Sequence, residues 1–324
     1  MTNKRMKVVV TDYDYPSLDL ERKVLEEIDP EFVGAHCTTE EEIITAAKDA
    51  DGILNQYAPI TERVIKSLDR CKVICRYGVG VDSIDVEAAT ARGIMVANIP
   101  DYCVDEVSTH TMALILACAR KVPYLSAMVK KGKWDFMLGK PLFRSRGSVL
   151  GLFGLGRIGR AVVGKAKDFG FQIIAYDPYV SEALEKVQLV SFSELLSNSD
   201  FVSVHAPLTE ETKHAFGKGE FKAMKKDAYL INTARGAIVD EFALYRALKE
   251  GWIAGAALDV MEKEPPDPQN PLLRMDNLII SPHISYHSEQ SYAELKTKAA
   301  QAVLDVLKGG LPKAIVNPQV VKEK

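Results

Sequence analysis

Three glycines, Gly154, Gly156 and Gly159, stand in G-x-G-x-x-G spacing within residues 148–177, SVLGLFGLGRIGRAVVGKAKDFGFQIIAYD. Glycine at the first position permits a tight turn. At the second it lets backbone approach a pyrophosphate, and at the third it lets a helix pack close on a strand. The free N–H groups and positive dipole end of that helix then face the phosphates. A lone pattern of this kind also fits a glycine-rich turn between packed elements. Here the context is complete: an apolar strand before it, a helical pattern after it, a second apolar strand at residues 172–176, and an acidic residue, Asp177, about 20 residues on. The stretch predicts a dinucleotide site. Asp177 also selects the dinucleotide, because a carboxylate accepts hydrogen bonds from ribose hydroxyls and repels a 2′-phosphate, and Pro178 and Tyr179 supply no arginine to receive one. NAD is therefore expected over NADP. Arg157, next to Ile158 in the loop, either reaches the pyrophosphate or is a solvated surface arginine.

A second set is Arg235, Glu264 and His283. Hydride transfer at a carbinol carbon needs a group that takes or gives the hydroxyl proton, and histidine titrates near neutrality. A carboxylate beside His283 would fix its tautomer, and Glu264 is the candidate. The planar fork of Arg235 can grip a carboxylate at two points. Together they describe a site for a 2-hydroxy or 2-oxo acid next to a nicotinamide. From spacing alone each also fits a plainer role: Arg235 a surface ion-pair partner, Glu264 a loop carboxylate before Pro265, His283 a capped loop histidine.

The elements that must position these residues alternate. Short apolar strands at residues 7–11, 32–36, 52–54, 73–76 and 94–97 are separated by helical patterns, which implies a parallel sheet covered on both faces. This first region has no phosphate-binding glycine fingerprint. A long apolar helix begins near residue 107 and an irregular basic, aromatic stretch covers 130–146. After Asp177 the alternation resumes, with strands at 201–205, 229–232, 253–260 and 278–280. Ligands of such sheets bind beyond the carboxyl ends of the strands, which singles out residues 55–59, 77–80, 205–207, 233–236, 259–264 and His283. The last helix, near 288–307, follows a nucleotide domain that should already be complete and is expected to return to the first domain. The expected fold is α/β with two doubly wound parallel-sheet domains. One is a Rossmann NAD-binding domain at 102–287; the other is a smaller, discontinuous, flavodoxin-like substrate domain at 1–101 and 288–324.

A chain of 324 residues is long enough for two such cores. Its net charge of −3 gives no reason to expect nucleic acid or an anionic membrane as partner. The apolar runs are strand-length or broken by charge, so no bilayer span is expected, and the first run stops at Thr11 and Asp12, too short for a signal peptide. Five cysteines, with Cys71 and Cys75 out of C-x-x-C spacing, read as reduced thiols in a cytoplasmic protein without a metal site.

Five motifs in order make the chain resemble the D-isomer-specific 2-hydroxyacid dehydrogenase family over essentially its whole length. They are GLGRIGRAV at Gly154, HAPLTEET at His205, INTARGAIVDE at Ile231, AALDVMEKEPP at Ala256 and SPHISYHSEQS at Ser281. The resemblance is to its branch of phosphoglycerate dehydrogenases and C-terminal-binding proteins. It implies an NAD-dependent oxidoreductase acting on the CH–OH group of a small 2-hydroxy acid, and a homodimer. In it Arg235 orients the substrate, Glu264 and His283 form the acid/base pair, and the backbone N–H groups of Tyr77, Gly78, Val79 and Gly80 hold the substrate carboxylate. Asp259 takes the nicotinamide carboxamide, while His205, Pro207, Thr212, Thr233, Ala234 and His283 join Gly154, Gly156, Arg157, Ile158, Gly159 and Asp177 as cofactor-binding residues. There are departures. Thr109 stands where many relatives carry an acidic residue. Residues 55–58 lack the arginine of phosphoglycerate dehydrogenases, which leaves Arg76 as a phosphate partner or in an ordinary ion pair. The chain also stops soon after Asn317-Pro318, without the regulatory domains of longer phosphoglycerate dehydrogenases. An NAD-dependent D-2-hydroxyacid dehydrogenase is the reading, against a D-3-phosphoglycerate dehydrogenase or an NAD(H)-sensing corepressor-like binding protein.

Overall fold

A computed structural model describes residues 5–182 and 184–321. The chain divides into two units, residues 1–102 with 288–324, and residues 103–287.

The first unit alternates β1 (Lys7–Val10), α1 (Asp19–Leu25), β2 (Glu31–Gly34), α2 (Glu40–Ala47), β3 (Gly52–Asn55), α3 (Glu62–Ser67), β4 (Val73–Arg76), α4 (Val86–Ala91) and β5 (Met95–Ala97). Its strands are parallel in the order β2-β1-β3-β4-β5. Helix starts are set locally. Thr39 accepts from the Glu42 N–H, and the Glu42 carboxylate reaches back to Thr39 N–H, a capping box; Thr61 and Asp85 cap α3 and α4. Val9, Ile43, Ile53, Ile65, Ile74 and Val96 fill the core. The registers Leu54↔Cys75 and Asn55↔Arg76 bring the ends of β3 and β4 side by side. The last helix belongs to this unit and packs on α1, β3 and β4.

The second unit runs α5 (Val104–Arg120), α6 (Val122–Lys130), β6 (Val149–Phe153), α7 (Arg157–Lys167), β7 (Gln172–Tyr176), β8 (Val187–Leu189), α8 (Phe192–Asn198), β9 (Phe201–Val204), α9 (Lys218–Ala223), β10 (Tyr229–Asn232), α10 (Glu241–Glu250), β11 (Gly255–Leu258) and β12 (Leu278–Ile280). The chain then enters α11 (Glu289–Leu307) of the first unit. The sheet order, β12-β11-β10-β9-β6-β7-β8, reverses between β6 and β9, so the loops after those two strands flank a switch point. Alternation along the strands builds a core on each face. Leu150 and Leu152 join Ile115, Val162 and Val163 on one side, while Phe153, Val204 and Phe216 pack with Leu244 and Leu248 on the other.

The expectation of two doubly wound parallel sheets holds. Details differ. The long helix starts at Val104 and ends where Lys121 turns left-handed (φ 51), and α6, with Pro123 in its first turn, follows at once. Helix α9 and strand β8 are short elements the sequence reading left out. Within residues 131–148 only a 3-10 turn, Phe136–Gly139, is regular. No single helix among the described residues is long and apolar enough to cross a membrane.

Candidate active site

Strand β6 ends in the glycine loop. Gly154 has φ 101, and a Cβ there would lie 2.8 Å from Ala206 N and from His205 C, so glycine both makes the turn and admits the neighbouring loop. At Gly159 a Cβ would meet Gly154 O at 2.6 Å, which is how α7 packs so close to the strand. Nothing lies within 4 Å of the Cβ position at Gly156. Helix α7 has no side-chain cap, so the N–H groups of Arg157, Ile158 and Gly159 are left as a helix N-terminus beside that open space. The residues present fit a pyrophosphate. Asp177, at the end of β7, accepts Leu155 N–H on Oδ2 at 2.8 Å and Tyr179 N–H on Oδ1 at 2.9 Å, locking the loop while the carboxylate stays half-buried at the rim. Across the switch point, burial pushes His205 down to about 4, so it is neutral, and its Nε2 pairs with Ser203 Oγ at 2.9 Å. Thr212 shapes the same loop, donating to Pro207 O and accepting Thr209 N–H, both at 2.7 Å. Thr233 is buried against Thr111, hydroxyl to hydroxyl at 2.9 Å.

The structure brings Arg235, Glu264 and His283 to the carboxyl ends of β10, β11 and β12. Asn232 clamps the loop after β10, accepting Ala234 N–H at 3.0 Å and donating to Arg235 O at 2.9 Å. Gly236 then backs onto the next loop, where a Cβ would lie 2.0 Å from Met261 C. Glu264 accepts Met261 N–H on Oε1 at 2.9 Å, and its Oε2 lies 2.6 Å from His283 Nδ1. Burial pushes the Glu264 carboxyl up, but the His283 hydrogen bond and charge together with the Met261 N–H outweigh it and hold the group below the ordinary carboxylate range. The carboxylate is therefore ionised and can only accept, which puts the proton on Nδ1 and leaves Nε2 without a partner among the described residues.

His283 itself is left-handed (φ 49), its N–H donating to Asp259 O at 2.8 Å. Asp259 anchors this loop: Oδ1 accepts Ser281 Oγ at 2.6 Å and Ile284 N–H at 3.0 Å, and Oδ2 accepts Ser285 N–H at 2.9 Å. Its side chain is 0% exposed, with His110 Nε2 3.7 Å away. Asn232, His110 and Ser281 are site residues that the sequence does not single out, and Gly236, inside the singled-out 233–236, has a packing role that spacing does not show.

In the first unit, Tyr77 N–H donates to Asn55 O at 2.8 Å and Gly78 N–H to Arg76 O at 3.0 Å. Two of the four proposed amides are thus already used, and those of Val79 and Gly80 have no partner among the described residues. Gly78 (φ 141) lies under the Arg76 guanidinium, where a Cβ would be 1.6 Å from an Arg76 terminal nitrogen. Thr109, on α5, accepts from Lys165 of α7 at 2.7 Å.

A dinucleotide loop at a sheet switch point, with a carboxylate-held histidine and an arginine on the same rim, defines a nicotinamide-dependent oxidoreductase. The chain belongs to the D-isomer specific 2-hydroxyacid dehydrogenase family, NAD-dependent enzymes acting on the CH–OH group of 2-hydroxy acids. The family model for the D-isomer specific 2-hydroxyacid dehydrogenase NAD binding domain matches residues 112–285. The chain is 41% identical over 290 residues to a glyoxylate reductase of Korarchaeum cryptofilum, covering 86% of each chain. It is 44% identical over 325 residues to a D-3-phosphoglycerate dehydrogenase of Methanocaldococcus jannaschii, covering 98% of this chain but 61% of that one. A D-lactate dehydrogenase from Aquifex aeolicus, solved with NAD and lactic acid, superposes with a TM-score of 0.87 at 30% identity, covering 96% of this chain and 99% of that one.

Proposed function

We propose that the protein is an NAD-dependent D-2-hydroxyacid dehydrogenase interconverting a small 2-hydroxy acid and its 2-oxo acid. The observation that carries this is the His283–Glu264 contact at 2.6 Å, with Arg235 on the neighbouring loop. Residues 103–287 are the nicotinamide unit; the discontinuous unit serves the acid. Arg157, Ile158 and Gly159 N–H groups hold the pyrophosphate and Asp177 the adenosine ribose. His205, Pro207, Thr212, Thr233 and Ala234 follow β9 and β10 and complete the cofactor's surroundings. Bound NAD(H) supplies the hydride acceptor or donor for C2 of the acid. Arg235 takes the acid's carboxylate; within the discontinuous unit, the Val79 and Gly80 amides are the donors that unit offers to a carboxylate. His283, its Nδ1–H held by Glu264, exchanges the hydroxyl proton at Nε2. Asp259 enters as anchor of the His283 loop, because its carboxylate is wholly buried.

The test follows NADH oxidation against glyoxylate, hydroxypyruvate, pyruvate, and branched and aromatic 2-oxo acids. His283→Asn should lower kcat by about a thousandfold. Arg235→Ala should raise KM for the acid and lower kcat/KM by about a hundredfold. Turnover unchanged in both would remove these roles.

A second reading, oxidation of 3-phosphoglycerate, is favoured by Arg76. Its guanidinium lies against Gly78 and has no carboxylate partner among the described residues; its one aromatic contact is Tyr57, at 6.0 Å. NAD reduction by 3-phosphoglycerate that is lost in Arg76→Ala would establish it. A homodimer is supported by the aromatic side chains at Trp134, Phe136 and Phe143, which are 89%, 80% and 58% exposed; sedimentation as a monomer would reject it. Cys37, Cys71, Cys75 and Cys118, free thiols among the described residues, support a reducing, cytoplasmic location.

A further inference from the structure

Beneath residues 77–80 lies a buried charged pair that none of these roles uses. Glu21, on α1, is 0% exposed and Lys296, on α11, is 4% exposed. Their charged atoms are 3.6 Å apart. Lys296 Nζ donates to Ser17 O at 2.6 Å and sits 4.9 Å from the centre of the Tyr15 ring. Glu21 Oε1 accepts the Tyr77 hydroxyl at 3.1 Å, while Oε2 has no hydrogen-bond partner among the described residues. Burial pushes the Glu21 carboxyl above its ordinary range, against the pull of its backbone N–H, Lys296 and Tyr77.

Such a pair is weak support for stability, since well-packed apolar side chains of similar volume often serve as well. What the pair does touch is Tyr77. That residue is pinned at both ends, its N–H on Asn55 O and its hydroxyl on Glu21. Its ring is packed edge-on by Tyr15 at 5.1 Å, and Tyr15 in turn packs on Tyr292 at 4.8 Å. Val79 and Gly80, whose amides have no partner among the described residues, follow directly along the chain.

We propose that Glu21, held in place by Lys296, anchors the Tyr77 hydroxyl and so positions the Val79 and Gly80 amides for the substrate carboxylate. Glu21, Lys296 and Tyr77 are then positioning residues; none is catalytic. The inference rests on the reading of residues 77–80 given under the proposed function.

Two substitutions test it. Tyr77→Phe removes the hydroxyl and keeps the ring; Glu21→Leu with Lys296→Met replaces the pair by apolar side chains of similar size. Each should raise KM for the preferred 2-oxo acid about tenfold, with kcat held within about twofold and KM for NADH unchanged. Combining all three should add nothing, because they act through one contact. A merely structural role would instead lower the melting temperature and the active fraction, reducing kcat at constant KM. An unchanged KM for the acid in Tyr77→Phe overturns the inference, as do fully additive effects in the triple variant. If the Glu21→Leu/Lys296→Met protein does not fold, Tyr77→Phe alone decides. Wild-type protein inert towards every 2-oxo acid defeats the site reading and this inference with it. Wild-type turnover with unaltered variants defeats the inference alone.

Discussion

His205 and His283 are two histidines held in opposite ways. Glu264 grips one ring nitrogen of His283 and stays ionised to do so, whereas His205, partly buried at the end of β9, pairs with the Ser203 hydroxyl and no carboxylate among the described residues. A free histidine titrates near 6.5, and burial brings His205 down to about 4. Between those values the unfolded chain binds a proton that the folded chain does not, so stability is full above pH 6.5 and is lost as pH falls towards 4. The group's share of that loss is at most about 3 kcal/mol. We expect urea denaturation across this window to show a smaller loss in His205→Gln than in the wild type. Parallel curves for the two proteins would mean that His205 is protonated in the fold.

At the scale of elements, the site depends on two loops touching. Gly236, after β10, backs onto the Met261–Glu262 peptide, after β11, and the three atoms nearest its Cβ position are backbone: Met261 C at 2.0 Å, Met261 O at 2.1 Å and Glu262 N at 2.4 Å. Gly236→Ala must therefore separate Arg235 from Glu264. A displacement of this kind should lower kcat/KM by about a hundredfold and cost about 2 kcal/mol of stability. Gly251→Ala is the control: Gly251 caps α10 with φ 69 and has nothing within 4 Å of its Cβ position, so only backbone strain of about 1 kcal/mol is expected there, with kcat/KM unchanged. Equal kinetics in the two variants would show that the contact does not set the site. This contact also marks where the sequence stops being legible. The glycine loop could be read because turn, helix start and Asp177 are local features of one strand–helix–strand run. Arg235, Glu264 and His283 could be found because each follows a strand. Gly236 follows a strand too, but the need for glycine there could not be read, because it is set by a peptide on another strand's loop. Neither could Asp259's anchoring of the His283 loop, which needs the three-dimensional pairing of its carboxylate with Ser281, Ile284 and Ser285. Helix α9 and strand β8 were missed because six and three residues carry too little periodicity to stand out.

At the scale of the whole molecule, the two units differ in how the chain closes them. Residues 103–287 are contiguous and hold both faces of the seven-stranded sheet, with the core clusters and the glycine loop inside them. The other unit is closed only when α11 returns. Val303 and Leu307 are buried, and at Gly52 on β3 a Cβ would lie 2.7 Å from the Val303 side chain. Residues 1–102 without α11 would therefore expose the packed side of β3 and β4. We expect residues 103–287, expressed alone, to unfold cooperatively and to bind NADH within about tenfold of the full chain's affinity, since every cofactor contact proposed here lies within them. Residues 1–102 alone should lack a cooperative transition and regain one when α11 is joined through a short linker. NADH fluorescence titration and calorimetry of the three proteins test this. A fragment 103–287 that folds but fails to bind NADH would mean that the discontinuous unit contributes to the cofactor site, and the division of labour between the units would have to be redrawn.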